Sequence, residues 1–230
     1  MSVELGAALL PVFIKGPLEF IRLVHRRYLG VFRSGMRFPT YSDKTARLVL
    51  NSADRVRYGT LALALQTIER ERVSGDLAEL GVWQGATSTF LHYQMPQRAL
   101  YLFDTFAGFP GESDADGRFR DTSVDAVRRR IGDDSNVVFR VGTFPGTTLG
   151  MESERFAFVL LDADKYASTL AGLEFFYPRM TRGAYMFIHD YNSPESEHGV
   201  SRAVNEFLQG KPERVVEIPD IWGSVLFRKF

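Results

Sequence analysis

Two apolar runs in this chain end in residues that can do acid–base or metal chemistry. Phe156–Leu161 runs into Asp162-Ala163-Asp164-Lys165-Tyr166, and residues 183–188 run into His189-Asp190-Tyr191. Short apolar runs without alternation mark parallel strands buried on both faces. Residues just past the C-terminal ends of such strands face the ligand crevice of an open α/β sheet. If the two strands are neighbours, Asp162, Asp164, His189 and Asp190 meet at one end of the sheet. Carboxylates held that close repel one another unless a cation or protons neutralise them. A divalent metal is the simplest neutraliser, and Mg²⁺ takes one or two carboxylates with waters and substrate oxygens. The alternative is a helix cap at Asp164 with an ion pair to Lys165.

A second constellation lies upstream, in the stretch 76–90 reading DLAELGVWQGATSTF. An apolar run reaches Glu79, Leu80 and Gly81, turns to Gly85 and enters a helix through Ala86, Thr87 and Ser88. A buried strand, a glycine turn and a helix N-terminus with free N–H groups make a nucleotide-handling unit. The spacing Gly81-x-x-x-Gly85 is not the G-x-G-x-x-G that cradles a pyrophosphate, and no P-loop signature occurs. A carboxylate just before the first glycine suits a cationic ligand, and S-adenosylmethionine fits. The next apolar run, 99–103, ends in Asp104, about twenty residues beyond the glycine turn, where a ribose-binding acid belongs.

The elements that must position these groups emerge from periodicity and punctuation. A helix is expected over 52–73, capped by Ser52 or Asp54 and ended by Ser74-Gly75. Strands are expected at 76–82, 99–103, 136–141, 156–161 and 183–188, with helices at 86–94, 123–131, 167–180 and 199–208. Asp121 or Thr122 is the expected cap of the 123–131 helix. Two final strands, 214–218 and 221–228, meet at Pro219-Asp220, with Trp222 and Phe227 packing. Residues 41–51 read as a polar connection. Tyr58 reads as a packing residue and Arg202 as a surface one. Loop 107–120 carries Glu112, Asp114 and Asp116 at half of an EF-hand spacing, but Ser123 stands where the bidentate Glu is required, so an acidic solvated loop is the reading. Residues 1–40 carry six basic against two acidic side chains among apolar ones. They read as an amphipathic helical segment that packs as a lid or oligomerisation element, with a membrane surface as the alternative.

Glu79-Leu-Gly-Val-Trp-Gln-Gly85, Asp104-Thr-Phe-Ala-Gly-Phe-Pro110, Asp162-Ala-Asp164, His189-Asp190-Tyr191 and Gly199-Val-Ser-Arg-Ala-Val-Asn-Glu-Phe207 together resemble the macrocin O-methyltransferase (TylF-like) family. The likeness runs from about Tyr58 to the C-terminus, and the DTFAGFP run is its most specific piece. It implies a Rossmann-like class I methyltransferase: a seven-stranded, mostly parallel sheet with an antiparallel last strand and an N-terminal helical extension. The implied division is an extension or lid over 1–51 and a catalytic domain over 52–230. It further implies methyl transfer from S-adenosylmethionine to a hydroxyl of a sugar or glycosylated natural product, with help from Mg²⁺ or Mn²⁺. The cofactor would meet Glu79, Gly81, Gly85, Thr87, Ser88, Asp104, Thr105, Gly142, Thr143, Phe144 and Asp162. Gly142 would admit the adenine ring and Phe144 would stack on it, unless Pro145-Gly146 makes only a plain turn. Asp162, His189 and Asp190 are the implied metal ligands. Asp164 is the implied base, with Lys165 and His189 as rivals. His189 departs from the pattern, which has a further Asp there; imidazole favours softer ions, or acts as base, or marks weakened metal use.

Composition bounds the rest. At 230 residues the chain suits one domain with a sizeable core. A formal net charge of +0 argues against a nucleic-acid binder, and zero cysteines exclude disulfides, thiolate catalysis and Cys-based zinc sites. No run reaches membrane-span length, and no basic n-region precedes the first apolar run, so a cytoplasmic protein is expected, and the basic, apolar N-terminus suggests a homo-oligomer. A metal-independent enzyme, a non-catalytic S-adenosylmethionine-binding partner and an NAD enzyme are the rivals, the last disfavoured by the glycine spacing.

Overall fold

A computed structural model describes residues 39, 41–109 and 119–230. The expected N-terminal amphipathic helix and the acidic part of loop 107–120 lie outside the described residues. Within them, helices α1 (Asp43–Asn51) and α2 (Arg55–Arg70) precede β1 (Asp76–Leu80), α3 (Ala86–Gln94), β2 (Leu100–Asp104), α4 (Val124–Ile131) and β3 (Val137–Val141). Then come β4 (Phe156–Leu161), α5 (Tyr166–Phe176), β5 (Met180–Ile188), α6 (Gly199–Leu208), β6 (Val216–Ile218) and β7 (Ser224–Arg228).

The strands form a seven-stranded sheet in the order β3-β2-β1-β4-β5-β7-β6. β1 to β5 are mutually parallel, and β7 runs antiparallel to both of its neighbours. This is the Rossmann-like architecture expected. The chain winds outward from β1 to β3, then crosses back to β4, so the winding reverses between β1 and β4. Ligands of open α/β sheets bind above the carboxyl ends of strands at that reversal. All six residues of β4 are buried, as an unalternating run predicts. Phe103, Phe156 and Phe176 are fully buried and meet edge-on at 5.3 to 5.5 Å between centroids. Each such ring contributes roughly 1.5–3 kcal/mol of burial.

Several expectations need correction. Residues 43–51, read as polar connection, are helical. Ser42 caps α1 by accepting from the Thr45 N–H at 3.2 Å, and buried Thr45 and Val49 supply the inward face. The cap of α4 is Ser123, because Asp121 and Thr122 are used elsewhere. α5 stops at Phe176 rather than Met180: Pro178 cannot continue an α-helix and sits in a short 3₁₀ turn. α2 begins at Arg55 with Asp54 as cap and ends at Arg70, short of Val73. Phe227 is buried, but Trp222 is 40% exposed rather than packed. Tyr58 packs edge-on against Phe90 at 4.9 Å, and Arg202 lies on the surface over the Tyr166 ring, both as expected.

Candidate active site

The carboxyl ends of β1, β2, β4 and β5 open into one cavity of about 510 Å³. That is within the range of a small-molecule site. Its floor is set at the winding reversal by Gly81. A Cβ placed on Gly81 would stand 1.8 Å from the backbone oxygen of Asp162, and its φ is +90°. Only glycine lets the β1 turn lie this close to the end of β4. Gly85, with φ +73°, starts α3 against Val127, whose Cγ1 would be 2.7 Å from an added Cβ.

Asp104 ties the turn together. Its Oδ2 accepts from the N–H groups of Val82 at 2.6 Å and Trp83 at 2.9 Å, and its Oδ1 accepts from Phe106 N–H at 2.7 Å. Asp121 accepts from Trp83 Nε1 and Gln84 Nε2, both at 2.6 Å, while Thr122 Oγ1 donates to the Trp83 carbonyl. The two residues expected to cap α4 therefore brace the glycine turn instead. Thr105 accepts from the Ala107 N–H and donates to the Gly108 carbonyl within its own loop.

Glu79 lies beneath the turn, 1% exposed, and takes the Ser88 hydroxyl. Burial pushes its carboxyl up to about 8 against the opposing pull of that hydrogen bond. Of the expected cofactor residues, Glu79, Gly81, Thr87, Asp104, Thr105, Gly142, Thr143, Phe144 and Asp162 line the cavity. Gly85 and Ser88 do not; they shape the turn behind it. Phe144 is half-buried and held among Phe103, Phe175 and Phe176 at 5.6 to 5.7 Å.

Beside the glycine turn, Asp162, Asp164, His189 and Asp190 converge on the same cavity, as adjacent β4 and β5 require. Lys165 does not join them: it is exposed, and its Nζ lies 5.0 Å from the centre of the Phe109 ring. The residue that sequence reasoning missed is Arg57, in the first turn of α2. Its Nη2 is 2.6 Å from Asp162 Oδ2, and its Nη1 is 3.2 Å from His189 Nε2. No local signal marks it, because its partners lie 105 and 132 residues away. The need of the carboxylates for a cation was the only hint. His189 Nδ1 is 3.0 Å from both Asp162 Oδ1 and Asp190 Oδ2, although its N–H direction aligns with neither.

The charges sort accordingly. Burial alone would raise Asp162, but His189 and Arg57 outweigh it and hold the carboxyl well below the usual range. Burial, Asp162 and a hydrogen bond with Asp190 push Asp164 up to about 9. Burial would lower His189, but Asp162 and Asp190 push it up to about 10. Arg57 opposes this, since a guanidinium only donates and Nε2 must accept from it.

The ligand atoms of Asp162, His189 and Asp190 lie within 4.8 Å of one another, close enough to converge on one ion. The imidazole does not fit that use as arranged, and Asp162 fits it with one oxygen only. A neutral imidazole has one lone pair, and Arg57 faces the nitrogen that carries it; an imidazolium has none. One oxygen of Asp162 is given to the same guanidinium.

Four non-glycine residues near these strand ends adopt left-handed backbone: Trp83 (φ 47°), Phe106 (φ 52°), Asp164 (φ 54°) and Asp190 (φ 58°). Such strain gathers where side chains must be aimed into a site.

A parallel sheet reversing between β1 and β4, with an acid at the end of β2 and an acid–imidazole cluster across the crevice, defines a Rossmann-like class I methyltransferase. The model of the macrocin O-methyltransferase (TylF) family matches residues 42–229. The chain belongs to that family and is an O-methyltransferase. It is 29% identical over 187 residues to the mycinamicin III 3''-O-methyltransferase of Micromonospora griseorubida, covering 70% of this chain and 72% of that one. It is 32% identical over 157 residues to the 8-demethyl-8-(2,3-dimethoxy-alpha-L-rhamnosyl)-tetracenomycin-C 4'-O-methyltransferase of Streptomyces olivaceus, covering 59% of this chain and 60% of that one. Among solved structures, the O-methyltransferase NovP superposes with a TM-score of 0.65 at 23% identity, over 76% of this chain and 79% of that chain. An O-methyltransferase from Bacillus cereus in complex with SAH gives 0.56 at 15%, over 88% and 96%. These two likenesses speak for the fold. No helix among the described residues is long and apolar enough to cross a membrane.

Proposed function

We propose that this protein transfers the methyl group of S-adenosylmethionine to a hydroxyl of a glycosylated natural product in the cytoplasm. The observation that carries the reading is the convergence on one cavity of the Gly81–Asp104 cradle and the Asp162–Asp164–His189–Asp190 cluster. The two named relatives, a mycinamicin III 3''-O-methyltransferase and a 4'-O-methyltransferase of a rhamnosyl-tetracenomycin, support the acceptor class.

The cofactor would sit over Gly81, with its ribose on Asp104 and its adenine beside Gly142, Thr143 and Phe144. Glu79 would lie near its cationic end. Asp104 is already held by three N–H groups, so its remaining lone pairs are aimed before any ligand arrives. The acceptor would enter beside the acidic cluster, past Trp222. In the reaction, a hydroxyl oxygen forms a bond to the methyl carbon as the carbon–sulfur bond breaks. The bonding pair stays on sulfur, leaving a neutral thioether. The hydroxyl proton passes to the Asp164–Asp190 pair, in which Asp164 is the proton-holding member and Asp190 the acceptor. No step runs through a divalent ion: Arg57 faces the His189 lone pair and takes one oxygen of Asp162. Residues 1–51 are assigned as lid or oligomerisation element, to be checked by light scattering of full-length and shortened chains.

The test is isothermal titration with S-adenosylmethionine and S-adenosylhomocysteine, followed by mass spectrometry of glycoside acceptors incubated with the cofactor. Cofactor binding and a one-methyl mass gain are expected. A folded sample that binds neither cofactor refutes the reading.

A further inference from the structure

We propose that Arg57 is a built-in substitute for a divalent ion, and that this chain positions its acceptor and carboxylates without metal. The inference rests on the methyltransferase reading and concerns the same site.

Three observations carry it. The guanidinium spans the two groups an ion would have to share, with Nη2 on Asp162 and Nη1 on His189. Its planar fork fixes both at once, as a single lysine ammonium would not. Second, the acids already have a cation built in: Arg57 Nη2 and Asp162 Oδ2 pair at 2.6 Å, with side chains only 14% and 23% exposed. Third, nothing in the helix itself favours this arginine. It stands in the first turn of α2, where the helix dipole disfavours a cation, and its side chain is 14% exposed with a buried Nε that has no hydrogen-bond partner among the described residues.

The placement is rigid. Asp54 Oδ1 accepts from the Arg57 N–H at 2.9 Å, and Asp54 Oδ2 accepts from the Ile221 N–H at 3.0 Å. The start of α2 is thereby tied to the turn between β6 and β7. Arg57 acts through Asp162 and His189 and is a positioning residue. Its guanidinium keeps Asp162 ionised and presents the imidazole's opposite edge to Asp190, so the proton-accepting pair keeps one orientation.

The test is titration of Mn²⁺ alone, monitored by electron paramagnetic resonance, into wild-type protein saturated with S-adenosylhomocysteine. The wild type is expected to leave Mn²⁺ free. The double variant Arg57→Ala/His189→Asp, which removes the guanidinium and restores a carboxylate, is expected to bind it roughly ten- to a hundredfold more tightly. Stoichiometric Mn²⁺ binding by the wild type that Asp190→Asn abolishes overturns the inference. If the double variant does not fold, the wild-type titration with Asp190→Asn still decides. S-adenosylhomocysteine heat from the same wild-type sample separates the two claims: its absence overturns the methyltransferase reading, whatever Mn²⁺ does.

Discussion

Gly81→Ala puts the placement of the cofactor cradle to a direct test. An alanine Cβ there stands 1.8 Å from the Asp162 backbone oxygen, where real contacts essentially never fall below 3.0 Å. The obstacle is backbone, so no side chain can rotate away. The ends of β1 and β4 must separate by more than 1 Å, against the Asp162 N–H to Leu80 carbonyl bond at 2.8 Å. A left-handed φ costs a non-glycine residue about 1–2 kcal/mol, overpacking about 1–3 and the weakened ladder bond ~1. At roughly 2–4 °C per kcal/mol for a chain of this length, Tm should fall by about 6–24 °C. Displacing the cradle by an ångström should also weaken S-adenosylhomocysteine binding by about a hundredfold. Gly146→Ala is the matched control: nothing lies within 4 Å of a Cβ there and its φ is ordinary, so its Tm should stay within about 2 °C. Thermal melts and calorimetric titration of both variants measure this. A Gly81→Ala protein with wild-type Tm and affinity would refute the assignment of the β1–β4 junction as the cofactor floor.

Glu79→Gln should alter the pH dependence of stability. The native carboxyl is raised to about 8, so folding retains a proton from about pH 4.5 to 8 and wild-type stability falls as pH rises through that window, by up to about 1.4 kcal/mol per unit. The variant should gain Tm on the wild type steadily from pH 5 to 8; parallel profiles would show that Glu79 is not buried as described. Asp104→Asn offers one carbonyl oxygen to three N–H donors, so about 1–3 kcal/mol of loop order should be lost. Its S-adenosylhomocysteine affinity should fall at least tenfold by calorimetry, and unchanged affinity would remove Asp104 from the cofactor site. Trp222→Ala should raise the acceptor KM about fivefold, equivalent to ~1 kcal/mol of ring contact, without changing cofactor affinity; a loss confined to cofactor binding would place the acceptor elsewhere.

How much of this was legible in the sequence depended on the distance over which each feature is determined. β4 and α6 were read to the residue, because an unbroken apolar run and a regular helical stripe are local facts. The convergence of Asp162 and His189 was also legible, since both end apolar runs that had to be neighbouring parallel strands. α1 was missed because its signal is a Ser42 cap with two inward residues, weak beside the polar side chains around it. Asp121 looked like a cap because it stands just ahead of a helical stripe; its true partners, Trp83 and Gln84, lie 38 and 37 residues upstream. Arg57 was the extreme case. A buried ion pair has no periodicity, and only the folded chain shows which of 28 basic side chains meets the acids.

The four left-handed residues at the strand ends set limits on how this protein can be improved or can drift. Each costs of order 1 kcal/mol, more for Trp83 and Phe106 than for Asp164 and Asp190, since short polar side chains tolerate that backbone. Together they rival a sizeable part of the roughly 5–15 kcal/mol that holds a typical domain folded. A laboratory selection for heat resistance alone would therefore find glycine at these positions early, and at Trp83, Asp164 and Asp190 each gain would surrender a side chain that lines the cleft. Screens that score both survival on heating and methyl transfer would instead find their stabilising changes on the far edge of the sheet, around β6 and β7, where the backbone carries no such debt.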